Sequence, residues 1–236
     1  MSAYYASGHT YQIVKTAMTW SAAKAWAESQ GGHLAYITSA AENQALVTMT
    51  QMEMGLDTAP TAADGGGARY LWLGGSDAAV EGTWRWGDGT LVSSGYSNWG
   101  AGALGSEPDD YGGVQDAMAF GLQSWPQPSG GIGVAYKWND VNPANSLYFV
   151  VEWDHIRGST GADMISHTGG ETVYGLEGND TLSYAEGYNF LRGDAGDDSV
   201  SGGSGFDDIN GNMGNDTAYG NDGDDWVVGG KDNDLL

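Results

Sequence analysis

The chain of 236 residues contains no cysteine, so neither a disulfide nor a thiolate metal site can hold it together. That absence does not assign it to the cytosol; it requires only that any staple be something other than sulfur. Positive charge is scarce, with 8 Lys and Arg against 31 Asp and Glu and a formal net charge of −23. Nucleic acid and anionic membranes need basic patches, so neither is expected as a partner. No apolar run approaches the ~20 residues that span a bilayer, and membrane insertion is not expected. The opening MSAYYASGHTYQIV lacks the charged, apolar and small-residue regions of a secretory signal, which places any export signal elsewhere. The repeat pattern described below breaks off at Leu236, and a piece of a larger, monomeric protein is expected.

Aromatic residues, by contrast, are plentiful. Acid-rich chains are either disordered or hold cations, and disordered ones have few aromatics. Here there are 10 Trp and 13 Tyr. Cation binding is the better reading, and calcium, which takes hard oxygen ligands, fits a chain rich in carboxylates.

Composition changes near Gly158. Residues 158–236 hold 16 acids and 2 bases in a periodic run of Gly, Asp and Asn, while residues 1–157 hold most of the Trp. The period is nine. Gly202-Gly-Ser-Gly-Phe-Asp-Asp-Ile-Asn210 fits G-G-x-G-x-D-x-U-x, where U is a large apolar residue. Steps of nine from it start at Gly193, Gly211 and Gly220, with Gly175 and the incomplete Gly229 outside them. The stretch 184–192 is degenerate but keeps Gly187, Asn189 and Leu191 in phase. The apolar column Ile165, Val173, Leu182, Leu191, Val200, Ile209, Ala218, Val227, Leu236 is almost unbroken. This resembles the RTX nonapeptide repeat, which implies a parallel β-roll binding several calcium ions. Glycines permit tight turns whose carbonyls face an ion, and Asp180, Asp198, Asp207, Asp216 and Asp225 are the candidate carboxylate ligands. Without the ion the stacked carboxylates repel, so folding of this segment is expected to be coupled to calcium. A flexible linker would have no reason to hold apolar residues in register.

Residues 1–157 read as mixed α and β. A helix is expected over Met18–Ser29 and a second from the capping box Ser39-Ala-Ala-Glu42 to about Met54. Strands are expected near Tyr70–Leu73, Thr83–Trp86, Ala117–Phe120, Tyr136–Trp138 and Leu147–Trp153. Residues 57–69 read as a loop, and Leu91–Gly113 as a long irregular one, the kind that is usually functional.

Several stretches resemble the C-type lectin-like domain, over roughly residues 4–154. Trp20-Ser-Ala-Ala-Lys-Ala-Trp-Ala27 with Gly31-Gly-His-Leu-Ala-Tyr-Ile37 looks like its two-helix opening. Leu71-Trp-Leu-Gly-Gly-Ser-Asp77 through Asp88-Gly89 resembles its core strand and the following hairpin. Tyr96-Ser-Asn-Trp99, Glu107-Pro-Asp109, Trp138-Asn-Asp140 and Tyr148-Phe-Val-Val-Glu152 match later motifs. The resemblance implies an α+β fold with two helices, antiparallel sheets and a long calcium-binding loop, over 1–157, followed by the β-roll over 158–236. The family's disulfide positions fall on Ala27 with Val151 and Ala117 with Pro143, so core burial is expected to replace the staples.

By the same resemblance, calcium is held by Glu107, Asp109, Gln115, Asn139 and Asp140, with Pro108 in a cis peptide. Relative to the family's Glu-Pro-Asn, Asn has become Asp at 109 and Glu has become Gln at 115, which conserves charge. A sugar's vicinal hydroxyls then meet acceptors on Glu107 and Asp109 and amide donors on Gln115 and Asn139. The family reads Glu-Pro-Asn as mannose- or fucose-type and Gln-Pro-Asp as galactose-type. This chain is a hybrid, and because Glu107 is kept a fucose- or mannose-type diol is expected. A second calcium is expected at Asp77, Glu81 and Asp110. Trp99 and Tyr111 border the site as ligand contacts, whereas Trp72, Trp84, Trp86, Trp138 and Trp153 are expected in the core. His9, His33, His155 and His167 lack metal-ligand spacing. No catalytic residues are evident: Glu107 and Asp109 are too close in sequence for a glycosidase pair, and no Ser-His-Asp set occurs. The expected function is glycan binding by a bacterial RTX adhesin that attaches cells or builds biofilm, extracellular and on the cell surface. The alternatives are a protein- or ice-binding module and a structural spacer.

Overall fold

The computed structural model describes residues 4–6, 8–168 and 170–236. It divides into two compact units, one built on Tyr11–Trp153 and the other on Asp154–Leu236.

In the first unit, helix α1 (Trp20–Ser29) is capped by Thr19, whose side chain accepts from Ala22 N–H, and it buries Ala23 and Ala27. Helix α2 (Ala40–Met52) opens at Ser39, whose hydroxyl accepts from Glu42 N–H at 3.2 Å. The Glu42 carboxylate reaches back to Thr38 N–H at 2.7 Å, one residue earlier than the usual reciprocal bond of a capping box. Between the helices and beyond them runs a seven-stranded sheet. Its order is Tyr4–Ala6, His9–Met18, Leu147–Trp153, Tyr70–Ser76, Ala117–Gly121 and Trp138–Val141, with His33–Leu34 also paired to Leu147–Trp153. Leu71 and Leu73 lie in one buried cluster with Leu46 and Met49 of α2; Tyr70 and Trp72 lie in another with Ala23 and Ala27 of α1. Because alternate strand residues face opposite sides, the sheet has a core on each face, one under each helix. Gly74 and Gly75 sit mid-strand because a Cβ there would strike Tyr36 at 2.4 Å and Met118 at 2.6 Å.

Ala27, Val151 and Ala117 are fully buried in the cluster beside α1. Pro143 is half-buried, and its carbonyl accepts from Trp20 N–H at 3.0 Å. Core packing thus stands where the resemblance would place disulfides.

Two sequence expectations change, and one strand is additional. Thr83–Trp86 is not a strand; Arg85 makes single bridges to Ser76 and Leu91, and the chain turns back at Asp88-Gly89. The strand expected at Tyr136 starts at Trp138, since Tyr136 has φ 72° and cannot continue a ladder. Strand His9–Met18 was not foreseen.

The second unit is a parallel roll of two sheets. One stacks Ile156–Arg157, Thr172–Tyr174, Asn189–Ala195, Asp207–Met213 and Trp226–Lys231; the other stacks Met164–His167, Thr181–Tyr184, Ser199–Ser204 and Thr217–Asp222. Val173 pairs with Leu191, Leu191 with Ile209 and Ile209 with Val227, whereas Leu182 pairs with Val200 and Val200 with Ala218. One coil is therefore two nonapeptides, and the apolar column splits alternately between the sheets. Ile165 through Ala218 are buried; Val227 is half-buried and Leu236 is 60% exposed, so the column opens at the last coil. Fully buried Ile156 pairs with Val173, which brings Asp154–Arg157 into this unit ahead of the compositional change at Gly158.

Candidate calcium sites

Three carboxylates of the first unit, Glu107, Asp109 and Asp140, bring oxygens within 4.8 Å of one another. Asp140 is held on strand Trp138–Val141, where Met118 is its cross-strand neighbour, and is fully buried. Its two oxygens accept from Asp109 N–H at 3.3 Å and Asp110 N–H at 2.8 Å, which fixes the turn after the cis Glu107–Pro108 peptide. Glu107 is 8% exposed; Trp125 Nε1 donates to its Oε1 at 2.6 Å, and its Oε2 is buried with no protein donor, the Asp140 carboxylate being its side-chain neighbour. Burial, aided by the charges of Asp140 and Asp109 and only partly offset by Trp125, pushes the Glu107 carboxyl up to about 8. Burial also raises Asp140. An unpartnered oxygen among three converging carboxylates is what a cation relieves.

Gln115 and Asn139 flank this cluster and are buried. Gln115 Nε2 donates to the Asp64 carbonyl at 3.1 Å, and Asn139 Nδ2 to the Tyr70 hydroxyl at 2.8 Å. Tyr70 donates in turn to the Gly65 carbonyl at 2.5 Å, and burial holds its hydroxyl protonated far above the usual range. Each amide keeps a second hydrogen beyond the one so used. Asp64 is locked by Asn142 N–H at 2.6 Å and Asn145 Nδ2 at 2.7 Å. The loop 57–69 thus orients both amides. A hollow of about 260 Å³ opens beside them, with Glu107, Asp109, Gln115 and Asn139 on its polar side and Trp125, Pro126 and Ile132 on its apolar side.

Of the two aromatic candidates, Tyr111 lines the hollow and is 69% exposed. Trp99 does not line it; its ring meets Trp84 at 4.8 Å and Trp138 at 5.8 Å edge-on, so it packs against the core. Trp72, Trp84, Trp86, Trp138 and Trp153 are all buried. Sequence reading missed Trp125, Asp64 and Tyr70. Their roles come from contacts 18 to 51 residues away for the first two, and no local motif marks them.

The second carboxylate cluster is Asp77, Glu81 and Asp116. Asp77 is 3% exposed; its Oδ2 accepts from Gly82 N–H at 2.9 Å and its Oδ1 is buried and unpartnered. The third member within this distance is Asp116, where sequence reading named Asp110. Asp110, at φ 45°, donates its N–H to Asp140 and accepts from Gln115 N–H at 3.1 Å, so its hydrogen bonds tie it to the first cluster. Its charge still raises Glu81, after the larger effect of Asp77.

In the roll the aspartates stack at intervals of 18. Oδ1 of Asp180, Asp198 and Asp216 accepts from the backbone N–H of Asp163, Asp180 and Asp198 at 2.8, 2.8 and 2.9 Å. Asp225 Oδ1 takes Asp207 N–H at 2.9 Å, and Asp234, which sequence reading left out, takes Asp216 N–H at 3.0 Å. Oδ2 of Asp180, Asp198, Asp207 and Asp216 is buried with no partner. Three of these oxygens, on Asp180, Asp198 and Asp216, stack in one row and that of Asp207 lies in the other, so the orphaned carboxylates fit cations on both turns of the roll.

Residues 16–151 match the lectin C-type domain, and 166–183, 174–209 and 201–236 match the RTX calcium-binding nonapeptide repeat. Ladderlectin of Oncorhynchus mykiss is 31% identical over 137 residues, 58% of each chain. The alpha-N-acetylgalactosamine-specific lectin of Patiria pectinifera is 33% identical over 108 residues, 46% of this chain and 52% of that one. This chain thus spans just over half the length of these curated relatives. The mouse scavenger receptor C-type lectin carbohydrate-recognition domain is similar at a TM-score of 0.48 and 22% identity, over 65% of this chain and 94% of that one. Calcium is the ion that both the domain and the repeat take, with several ions in the repeats. The chain belongs to the C-type lectin domain family, with RTX repeats following the lectin domain.

Proposed function

We propose that the first unit binds glycans at the hollow beside Glu107, in a calcium-dependent manner, and that the chain is the binding module of an extracellular bacterial adhesin used in cell attachment or biofilm formation. The observation that carries this reading is the buried, unpartnered Glu107 Oε2 among three carboxylates at the edge of a sugar-sized hollow. Glu107, Asp109, Gln115, Asn139 and Asp140 would hold the ion. Calcium supplies there a charge that accepts further oxygen ligands, such as a vicinal diol. The residues themselves do the rest. Glu107 and Asp109 accept from the sugar hydroxyls, and the free amide hydrogens of Gln115 and Asn139 donate to them. Trp125, Pro126 and Ile132 give an apolar wall, which supports L-fucose over mannose because its C6 is a methyl group.

Calorimetric titration of the calcium-loaded chain with L-fucose, mannose, galactose and N-acetylgalactosamine tests this. One sugar should bind, with heat abolished by EDTA and by Glu107→Ala. Binding that survives EDTA, or no heat with any sugar from a folded chain, overturns it and points to a protein or ice partner. Preference for N-acetylgalactosamine would keep the lectin and discard the fucose assignment.

A further inference from the structure

The degenerate stretch 184–192 puts Asn189 where neighbouring repeats have Asp. Asn189 is fully buried, and its Oδ1 accepts from Gly170 N–H at 2.7 Å, as the Asp Oδ1 atoms accept from the coil before them. Its Nδ2 stands where those aspartates have the unpartnered Oδ2. That nitrogen donates one hydrogen to Asp207 Oδ1 at 2.7 Å and shares the other between the Gly202 carbonyl at 3.2 Å and the Glu186 carbonyl at 3.3 Å. The surroundings of this position are therefore acceptors throughout, which a donor amide satisfies.

The aspartate turns present the same carbonyl, with Gly five residues before the Asp where the Asn189 turn has Tyr184. The carbonyl facing Asn189 belongs to the residue thirteen ahead. In the Asp180 turn one point beside Gly175 lies 2.4 Å from Asp180 Oδ2 and 2.5 Å from the carbonyl of Gly193, again thirteen ahead. In the Asp216 turn a point beside Gly211 lies 2.1 Å from Asp216 Oδ2 and 2.6 Å from the Gly229 carbonyl. Carboxylate faces carbonyl with no proton between them, and only a cation reconciles the two.

We infer that Asn189 is a built-in substitute for one calcium ion: its amide gives Glu186, Gly202 and Asp207 the partner that an ion gives in the aspartate turns. This coil junction is clamped without metal, so the roll carries one fixed joint among its calcium-dependent ones. The inference rests on calcium binding by the roll and is independent of what the hollow binds.

Native mass spectrometry of the calcium-saturated full chain counts the ions. Asn189→Asp replaces the donor with an orphaned oxygen and should bind one ion more than the parent. Asp198→Asn makes the converse change and should bind one fewer, with the roll's strand signal in circular dichroism retained. An unchanged count in Asn189→Asp overturns the inference. So does loss of the strand signal in Asp198→Asn at saturating calcium, since the amide would then fail as a substitute. Asp198→Asn decides the matter even where Asn189→Asp does not fold.

Discussion

The two units use the same ion on opposite terms. In the first, Trp72, Trp138, Phe120 and Phe149 are fully buried on the two faces of one sheet, and the calcium ligands hang from a body that packs without them. In the second, each nonapeptide buries one aliphatic side chain such as Leu191 or Val200, and between those side chains lie buried, orphaned aspartate oxygens. One buried aliphatic contributes about 1.5–3 kcal/mol, which must offset the ordering of nine residues. Calcium is thus expected to act as a ligand-binding component in the first unit and as a folding component in the second. A given chemical group does not have a fixed role; the amount of apolar packing around it decides.

Calcium removal should therefore split the molecule, and this is the largest effect expected. In EDTA, hydrogen exchange at Leu182, Leu191, Val200 and Ile209 should accelerate about a thousandfold or more, the factor for losing about 4 kcal/mol of local stability. Protection at Leu71, Phe120 and Phe149 should persist. Both units exchanging together, or neither, would break the comparison.

The contrast also explains what the sequence made legible. The roll is written locally: Gly and Asp recur at nine, and Leu182, Leu191 and Val200 fall where the period puts them, so topology and ligand column follow by counting. The lectin motifs are similarly local, and Glu107, Asp109 and Asp140 are brought together as their motifs imply. What was hidden is what depends on distant contacts. Trp125 reaches Glu107 across 18 residues and Asp64 reaches Gln115 across 51, and neither sits in a recognisable pattern. Asn189 was visible only as an in-phase residue of a degenerate repeat; its amide contacts give the exchange of Asp for Asn a chemical meaning. Arg85 misled because two single bridges on either side of a turn share the apolar alternation of a strand.

Acidity sharpens the comparison next. Burial holds Glu107 at about 8, above the ordinary carboxylate range, and Asp198 at about 6. For a group raised in the folded state, the stability it contributes to the calcium-free protein is present at low pH and is lost as pH rises through the raised value. Calcium must displace that proton, so affinity at Glu107 falls about tenfold per unit below pH 8. Between pH 8 and pH 6 the sugar-linked calcium affinity should weaken about fiftyfold, while the roll's midpoint, followed by circular dichroism, moves much less. Equal shifts in the two titrations would remove the distinction between the strongly raised acid of the first unit and the less raised Asp198 of the roll.

The smallest expected effect concerns backbone strain in the roll alone. The second position of the repeats that open with Gly is left-handed: Asp194, Asn212 and Asn221 have φ of 73°, 76° and 71°, and Gly203 and Gly230 occupy the same place. Leu176 is held there at φ 81°, a conformation that Asn and Gly accept and a branched apolar side chain resists. Its carbonyl is committed to Ala195 N–H at 2.7 Å, so the residue cannot relax without losing a coil contact. Leu176→Asn should relieve about 1 kcal/mol. With folding of the roll coupled to calcium, as expected from its repeats, that gain should read as a lower calcium midpoint for its strand signal, with the sugar affinity of the first unit unchanged. A raised midpoint would mean that Leu176 contributes packing worth more than its strain, and that even this ion-dependent unit draws on apolar contacts outside its central column.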